Sequence, residues 1–186
     1  MIEWLIYAGL FWVFLLAVIY LCLSFGFFRF GIPFIPTEKL AVKKMIELAA
    51  LEKKDSVVEI GCGDGRLVFC AAETAHHSVG YEGVFFVYLL AKIRKFVGRR
   101  KGELCYGNFY KADLSQYDVV FAYLSNPIMK KFYQKKWKEL KPGCRIISNA
   151  FTFPSEIPIK MKVNIGKGHI YVYEKKPATC SILVSE

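Results

Sequence analysis

The chain has 186 residues, room for one domain and an appendage. Lys and Arg outnumber Asp and Glu by 26 to 16, giving a formal net charge of +10, and 54% of the residues are hydrophobic. The six cysteines (Cys22, Cys62, Cys70, Cys105, Cys144 and Cys180) form no C-x-x-C and no Cys/His cluster of metal-ligand spacing, so no metal is expected and the thiols read as free in a reducing compartment.

Trp4 to Phe28 contains no charge. As a helix this stretch is about 38 Å long, enough to cross a hydrocarbon core of about 30 Å with some tilt. A cleaved signal peptide is the competing reading, with Ser24-Phe25-Gly26 as a passable site. Against it, no basic residue precedes Arg29 and the apolar core runs past the usual length. Cys22 follows Leu21, where a lipoprotein site wants a small residue. The stretch is also too long for an ordinary core helix. A membrane span is therefore expected. All 26 basic residues lie after it, with Arg29, Lys39, Lys43 and Lys44 nearest. The positive-inside rule then places the N-terminus outside and the rest of the chain in the cytoplasm.

Gly31 to Thr37 holds two prolines and reads as an extended connector, a stiff spacer on the plainest view. Thr37 is a plausible N-cap for a helix over Glu38 to Leu51. Val57-Val58-Glu59-Ile60 has the β-branched character of a strand covered on both faces. Gly61-Cys62-Gly63-Asp64-Gly65 follows, where three glycines let the backbone turn sharply and a ligand approach the main chain. A helix is expected from Arg66 to about Ala75, its first N–H groups pointing back at that ligand. A dinucleotide fingerprint would need its third glycine at Arg66. The spacing here is instead G-x-G-x-G, with Glu59 two residues ahead, and it resembles motif I of the class I methyltransferases, which bind S-adenosylmethionine. Ser78 to Glu82 reads as the next strand, ending in a carboxylate able to accept both hydroxyls of a ribose.

Phe85 to Phe96 reads as a helix, and Lys92 to Lys101 holds six basic residues. Strand three spans Glu103 to Tyr106 and is followed by Asn108-Phe109. Strand four, Asp118 to Leu124, runs into Ser125-Asn126-Pro127, a loop at the strand end where open α/β sheets place their sites. Ile128 to Leu140 is amphipathic, with Met129, Tyr133, Trp137 and Leu140 on one face. Leu140-Lys141-Pro142-Gly143 ends it. Arg145 to Asn149 is strand five. Pro154 and Pro158 leave little room for a further helix, and Gly166-Lys167-Gly168 joins two last strands, Ile159 to Ile165 and His169 to Tyr173, as a hairpin. The expected fold is α/β: a seven-stranded, doubly wound, mainly parallel Rossmann-like sheet with an antiparallel C-terminal hairpin, preceded by one transmembrane helix.

Taken together, several segments resemble a small group of class I methyltransferases with one N-terminal span. These are Pro33-Phe34-Ile35-Pro36-Thr37, Glu59 to Arg66, Gly80-Tyr81-Glu82, Val119-Val120-Phe121, Leu140 to Gly143, Ile146 to Asn149 and Phe151 to Pro154. Known eukaryotic members are mitochondrial protein-lysine methyltransferases acting on the adenine nucleotide carrier and the membrane subunit of ATP synthase. The resemblance implies an anchor at 1–30, a connector and helix at 31–55, a methyltransferase domain at 56–174 and a tail at 175–186. It implies S-adenosylmethionine as cofactor, held by Glu59, Gly61, Cys62, Gly63, Asp64, Gly65 and Glu82, with Asn108 and Phe109 at the adenine and Thr37 from the connector. The group usually has an acid where this chain has Asn108, and the loop Leu124 to Pro127 does not match it.

No dedicated catalytic side chain is assignable. A lysine acceptor must be neutral, and aromatic and carbonyl walls at the strand ends can favour that form; Tyr123, Ser125, Asn126, Asn149 and Phe151 are the candidates. The three histidines receive no role. The leading expectation is methylation of a lysine on a membrane-associated protein, with an anionic lipid surface as a second partner. The runner-up is a membrane small molecule, such as an amine headgroup or a quinone precursor. Nucleic-acid methylation comes third: Asn126-Pro127 lacks the second proline and the aromatic of the exocyclic-amine methylases, and basic faces beside an anionic leaflet are explained by docking. A binder without catalysis is the remaining alternative.

Overall fold

A computed structural model describes residues 2–30, 34–166 and 168–177. Five parallel strands run in the order β3 (Glu103–Tyr106), β2 (His77–Glu82), β1 (Ser56–Ile60), β4 (Val119–Ala122), β5 (Arg145–Asn149). The sheet continues with β7 (Gly168–Glu174), antiparallel to β5, and ends on β6 (Met161–Ile165), antiparallel to β7. Chain order thus steps outward one way from β1 to β3 and the other way from β4 to β5. The reversal lies between β1 and β4, where the crevice of an open α/β sheet forms. The expected seven-stranded sheet with its antiparallel hairpin is the one observed. Gly31 to Pro33 of the expected connector, Lys167 of the expected Gly166-Lys167-Gly168 hairpin signal and most of the expected tail (178–186) lie outside the described residues.

The central strands are apolar on both sides because helices cover both. On one side, α2 (Lys39–Ala49) contributes Ala41, Val42, Met45 and Ala49, spaced to form one stripe, and these pack with Leu67 of α3 (Arg66–Ala71), Ile147 and Ile170. On the other, Met129 and Phe132 of α5 (Asn126–Lys136) meet Val120, Ile146, Phe153 and Tyr173. Each such fully buried large side chain contributes about 1.5–3 kcal/mol of burial. Arg145 ties the end of α2 to the sheet: its guanidinium reaches the carbonyls of Ala49 at 2.6 Å and Ala50 at 2.8 Å and the buried Asp55 carboxylate at 2.6 Å.

Several expected boundaries shift for local reasons. The first domain helix starts at Lys39, its N-cap position is Glu38, and Thr37 is not the cap; Thr37 is buried and its carbonyl accepts from Arg66. The helix after the glycine turn ends at Ala71 rather than Ala75, because the chain tightens there into three-residue turns, Thr74 N–H to the Ala71 carbonyl at 3.1 Å. Strand four is only Val119–Ala122, and Tyr123 and Leu124 leave the ladder toward the crevice. The helix expected over 128–140 begins at Asn126, with Pro127 in its first turn, and passes at Trp137 into a short 3-10 turn. Its buried face is Met129, Phe132 and Lys136, while Tyr133 and Trp137 sit at the edge of the core. Lys136 is buried because its ammonium finds the Ala112 carbonyl at 2.8 Å and Glu139 at 2.7 Å.

The N-terminal helix α1 (Ile2–Phe30) stands apart from this core. Its stretch Glu3–Leu21 is long and apolar enough to cross a membrane, and none of it is buried against the domain. It touches α4 (Phe85–Val97), the helix between β2 and β3.

Candidate active site

The turn after β1 is shaped by conformations that side chains resist. Gly61, Gly63 and Gly65 have φ of +74°, +56° and +77°. At Gly63 a Cβ would lie 2.8 Å from the Phe34 ring, so the residue is pinned by space as well as by backbone angle. The N–H groups of Gly61 and Cys62 both donate to the Tyr81 carbonyl at 2.9 Å, clamping the turn to the end of β2. The next N–H, that of Gly63, donates to one Glu82 oxygen at 2.9 Å, and the Val84 N–H donates to the other at 2.8 Å. Glu82 is therefore aimed rather than loose, with further lone pairs left for a ligand. Its burial pushes the carboxyl above its ordinary value, against the pull of those N–H groups.

Glu59 closes the end of β1 below the turn. It is buried, and its Oε2 has no hydrogen-bond partner among the described residues. Burial raises its pKa well above the usual carboxylate range, and the charges of Asp64 and Glu82 add to the rise. An unpartnered buried carboxylate oxygen on a cavity wall is costly unless a donor or cation meets it.

Asp64 differs from the other two acids. Its carboxylate is taken by Arg66, at 2.7 Å, and by Arg94 of α4. Burial would push its carboxyl up, but the hydrogen bond and charge of Arg66, with Arg94 behind it, hold it below the ordinary value. Arg66 also donates to the Thr37 carbonyl, so Asp64 and Arg66 brace the turn, α4 and the connector against one another.

These groups line one cavity of about 540 Å³. Of the expected cofactor residues, Thr37, Glu59, Gly61, Cys62, Gly63, Asp64, Glu82, Asn108 and Phe109 are on its wall. Gly65 sits just behind, where it caps α3. Asn108 uses its side-chain oxygen to accept the Tyr110 N–H at 3.0 Å and so shapes the short turn Phe109–Lys111. Of the expected substrate-loop residues, Tyr123, Ser125 and Phe151 are on the wall. The Tyr123 and Phe151 rings lie 5.9 Å apart, inclined by 31°. Phe151 is directed there by Ala150, at φ +63°, and by Ser148, whose hydroxyl donates to the Phe151 carbonyl at 2.6 Å. Asn126 and Asn149 do not reach the cavity: Asn126 opens α5 on its exposed side, and Asn149 is held in the β5–β7 ladder opposite Ile170.

Other wall residues carried no signal in a strand-end reading. Phe34, Ile35 and Pro36 bring the connector over the glycine turn. Tyr110, Ile128 and Lys131 come from beyond β3 and from the first turns of α5, and Lys131 lies 5.2 Å over the Tyr110 ring. The Tyr110 hydroxyl is pushed up to about 12 by burial, so it is a neutral donor, bonded to the Ile128 carbonyl at 3.3 Å. The i, i+3 spacing of Ile128 and Lys131 is the pattern that would have revealed them as one face of α5.

The cavity suits a nucleoside bearing a positive charge. Glu82 offers a fixed carboxylate, Glu59 an unpartnered one, the glycines bare main chain, and Phe109 an apolar edge. Sheet topology and cavity together define a class I methyltransferase that uses S-adenosylmethionine. Comparison with known proteins makes the assignment narrower: residues 59–160 match the ANTKMT methyltransferase domain family, and the chain belongs to it. It is 32% identical over 150 residues to a protein-lysine N-methyltransferase of Saccharolobus islandicus (strain REY15A), covering 76% of this chain and 92% of that protein. It is 30% identical over 132 residues to a human lysine N-methyltransferase of an ATP synthase subunit, covering 68% of this chain and 55% of that protein, so it spans little more than half of this longer relative. Among solved structures, an RNA methyltransferase from Salinibacter ruber in complex with S-adenosyl-L-homocysteine superposes with a TM-score of 0.71 at 28% identity, covering 81% of this chain and all (100%) of that one.

Proposed function

We propose that this methyltransferase is a single-pass membrane protein that modifies a lysine side chain of a membrane-associated protein. In this reading residues 1–30 are the anchor, 31–55 the connector and first helix, 56–174 the catalytic domain and 175–186 a tail. The catalytic domain lies on the cytoplasmic side, as the placement of the basic residues suggests. One observation carries the reading: the cavity that joins Glu59 and Glu82 to the Tyr123–Phe151 rim is walled by Phe34 and Ile35, a few residues beyond an apolar helix of membrane-spanning length. The relatives named as protein-lysine methyltransferases, among them the human one for ATP synthase, support the acceptor class.

In this scheme Glu82 holds the ribose hydroxyls and Glu59 faces the cationic end of the cofactor. Gly61, Cys62, Gly63 and Gly65 present main chain, Asn108 and Phe109 border the adenine, and Thr37 and Asp64 hold the connector and turn in place. Bound S-adenosylmethionine supplies a methyl group already activated on a sulfonium. What the protein adds is placement, since the acceptor nitrogen must lie in line with that methyl. Neutralising a lysine of pKa about 10.4 at pH 7 costs about 4.6 kcal/mol. Lining by the Tyr123 and Phe151 rings strips water from the ammonium at the cavity rim, and desolvation beside positive charge favours the neutral amine. No general base is required of the wall.

Incubating the full chain with membranes and methyl-labelled S-adenosylmethionine tests this. Label is expected in a protein band and, after hydrolysis, on lysine; label confined to lipid would overturn it. A second reading, RNA methylation, is favoured by the Salinibacter ruber structure and by the lysines of α5. Label recovered in added RNA would select that reading.

A further inference from the structure

Helix α4 is built the wrong way round for a helix on a soluble sheet. Toward the sheet it buries only Val87 and Ala91. Outward, at spacings of three and four, it turns Phe86, Leu89, Leu90, Ile93, Phe96 and Val97. Ile93 is 53% exposed, Phe96 85% and Val97 76%. The larger apolar side chains thus face away from the core, over about 20 Å of helix. A contiguous apolar face of this kind marks an interaction surface.

Three observations say what covers it. The helix touches α1, whose apolar length is that of a membrane span. No acid occurs from Gly83 to Gly102, whereas Lys92, Lys95, Arg99, Arg100 and Lys101 cluster toward the C-terminal end, with Arg94 turned back to Asp64. The N-terminal end of α4 adjoins the cavity wall at Val84 and Val87. An apolar face bordered by cations and set beside a membrane span fits an anionic bilayer surface better than a protein partner, for which a purely basic border would be a poor match.

We propose that α4 lies in the plane of the bilayer interface, its outward face bedded at the acyl boundary and its basic end among anionic headgroups. This rests on the membrane-anchored reading and extends it. The domain is then held by two elements rather than swinging from a tether, and the cavity mouth is set at headgroup level, where a lysine near the end of a membrane-spanning helix of a substrate lies.

The test uses the full chain in vesicles of phosphatidylcholine alone or mixed with phosphatidylglycerol. A nitroxide amino acid is incorporated in place of Phe96, of Val13 in α1, or of Glu73 on an exposed polar surface. Collision with oxygen, which partitions into lipid, is compared with collision with a water-soluble nickel chelate. The expected oxygen-to-nickel ratio at Phe96 is several-fold that at Glu73 and higher still with phosphatidylglycerol. A deep Val13 with Phe96 matching Glu73 overturns the docking of α4 while the anchor stands. Aqueous values at both Val13 and Phe96 overturn both readings. Equal immersion of Phe96 in the two vesicle types overturns the role of the basic end. Shielding of Phe96 from both probes only when a membrane-protein substrate is co-reconstituted makes α4 a protein-binding face and overturns the proposal.

Discussion

The main-chain N–H of Gly63 donates to the carboxylate of Glu82 at 2.9 Å, across 19 residues of sequence. This one bond ties the glycine turn to the acid at the end of β2, so the two halves of the cofactor site are positioned together. On the proposed assignment, Glu82→Ala removes the acceptor for the ribose and frees the Gly63 and Val84 N–H groups at once. Loss of charge-assisted hydrogen bonds of about 1.5–3 kcal/mol should weaken S-adenosylmethionine binding roughly 10–100-fold, measured by calorimetry on the purified chain. Unchanged affinity would remove Glu82 from the site.

Gly63→Ala tests the turn itself. The backbone cost of φ +56° in an L-residue is about 1–2 kcal/mol. The added methyl also meets the Phe34 ring at 2.8 Å. Gly143→Ala is the control: its φ is +79°, but a Cβ there has open space. Both variants carry the backbone cost, but Gly63→Ala adds the clash and should lose more stability in thermal melts, and only Gly63→Ala should lose cofactor affinity. Adding Phe34→Ala to Gly63→Ala should restore part of it.

Lys136 shows what a local reading of the chain misses. Lysines dominate α5, and by charge pattern Lys136 belongs on the solvent face. It is instead buried, because the Ala112 carbonyl, 24 residues away, supplies an oxygen that only the folded chain brings to it, beside Glu139 three residues on. Lys136→Met keeps the volume but leaves the Ala112 carbonyl without its donor. A loss of about 1–3 kcal/mol in denaturant unfolding is expected, with cofactor affinity unchanged.

The same division between near and distant contacts explains which parts of the site could be read beforehand. The sheet, its central strands and the acids Glu59 and Glu82 follow from runs of four to six residues and from strand–turn–helix order, which are local. Asp64 stood beside them in sequence, but its carboxylate is claimed by Arg66 and by Arg94, 30 residues away. Phe34 to Pro36 looked like a spacer because the turn it covers is formed by residues far along the chain. Strand-end logic named Tyr123, Ser125 and Phe151 together with Asn126 and Asn149. It could not tell which of them face the crevice, since that depends on where the ladder releases each strand.

Glu59 makes stability depend on pH in a definite direction. Its folded pKa is raised well above the unfolded value, with burial the largest cause. The native state therefore holds a proton that the unfolded chain releases first, and stability falls as pH rises from the unfolded pKa through the folded one. The isosteric Glu59→Gln cannot ionise and should lack this slope. In cofactor-free protein the melting temperature of Glu59→Gln should equal or trail that of the parent at low pH and overtake it as pH increases. Parallel curves would mean that the carboxyl is solvated in the native state.

In the proposed reaction the aromatic rim takes the part of the chemistry that concerns the acceptor. Tyr123 and Phe151 lie at 5.9 Å between ring centroids and both face the cavity. Replacing either with Ala opens the rim and readmits water around the acceptor amine, so the bound amine's pKa moves back toward that of free lysine. Cofactor affinity should stay within error, while kcat/KM for the protein acceptor falls about tenfold or more at neutral pH, about 1.4 kcal/mol of transition-state stabilisation. The rising limb of the kcat–pH profile should move to higher pH, because a larger fraction of the bound acceptor is protonated at a given pH. Loss of rate with an unmoved pH profile would instead assign the rim to holding the substrate chain. Loss of cofactor affinity would place Tyr123 and Phe151 on the nucleoside rather than on the lysine.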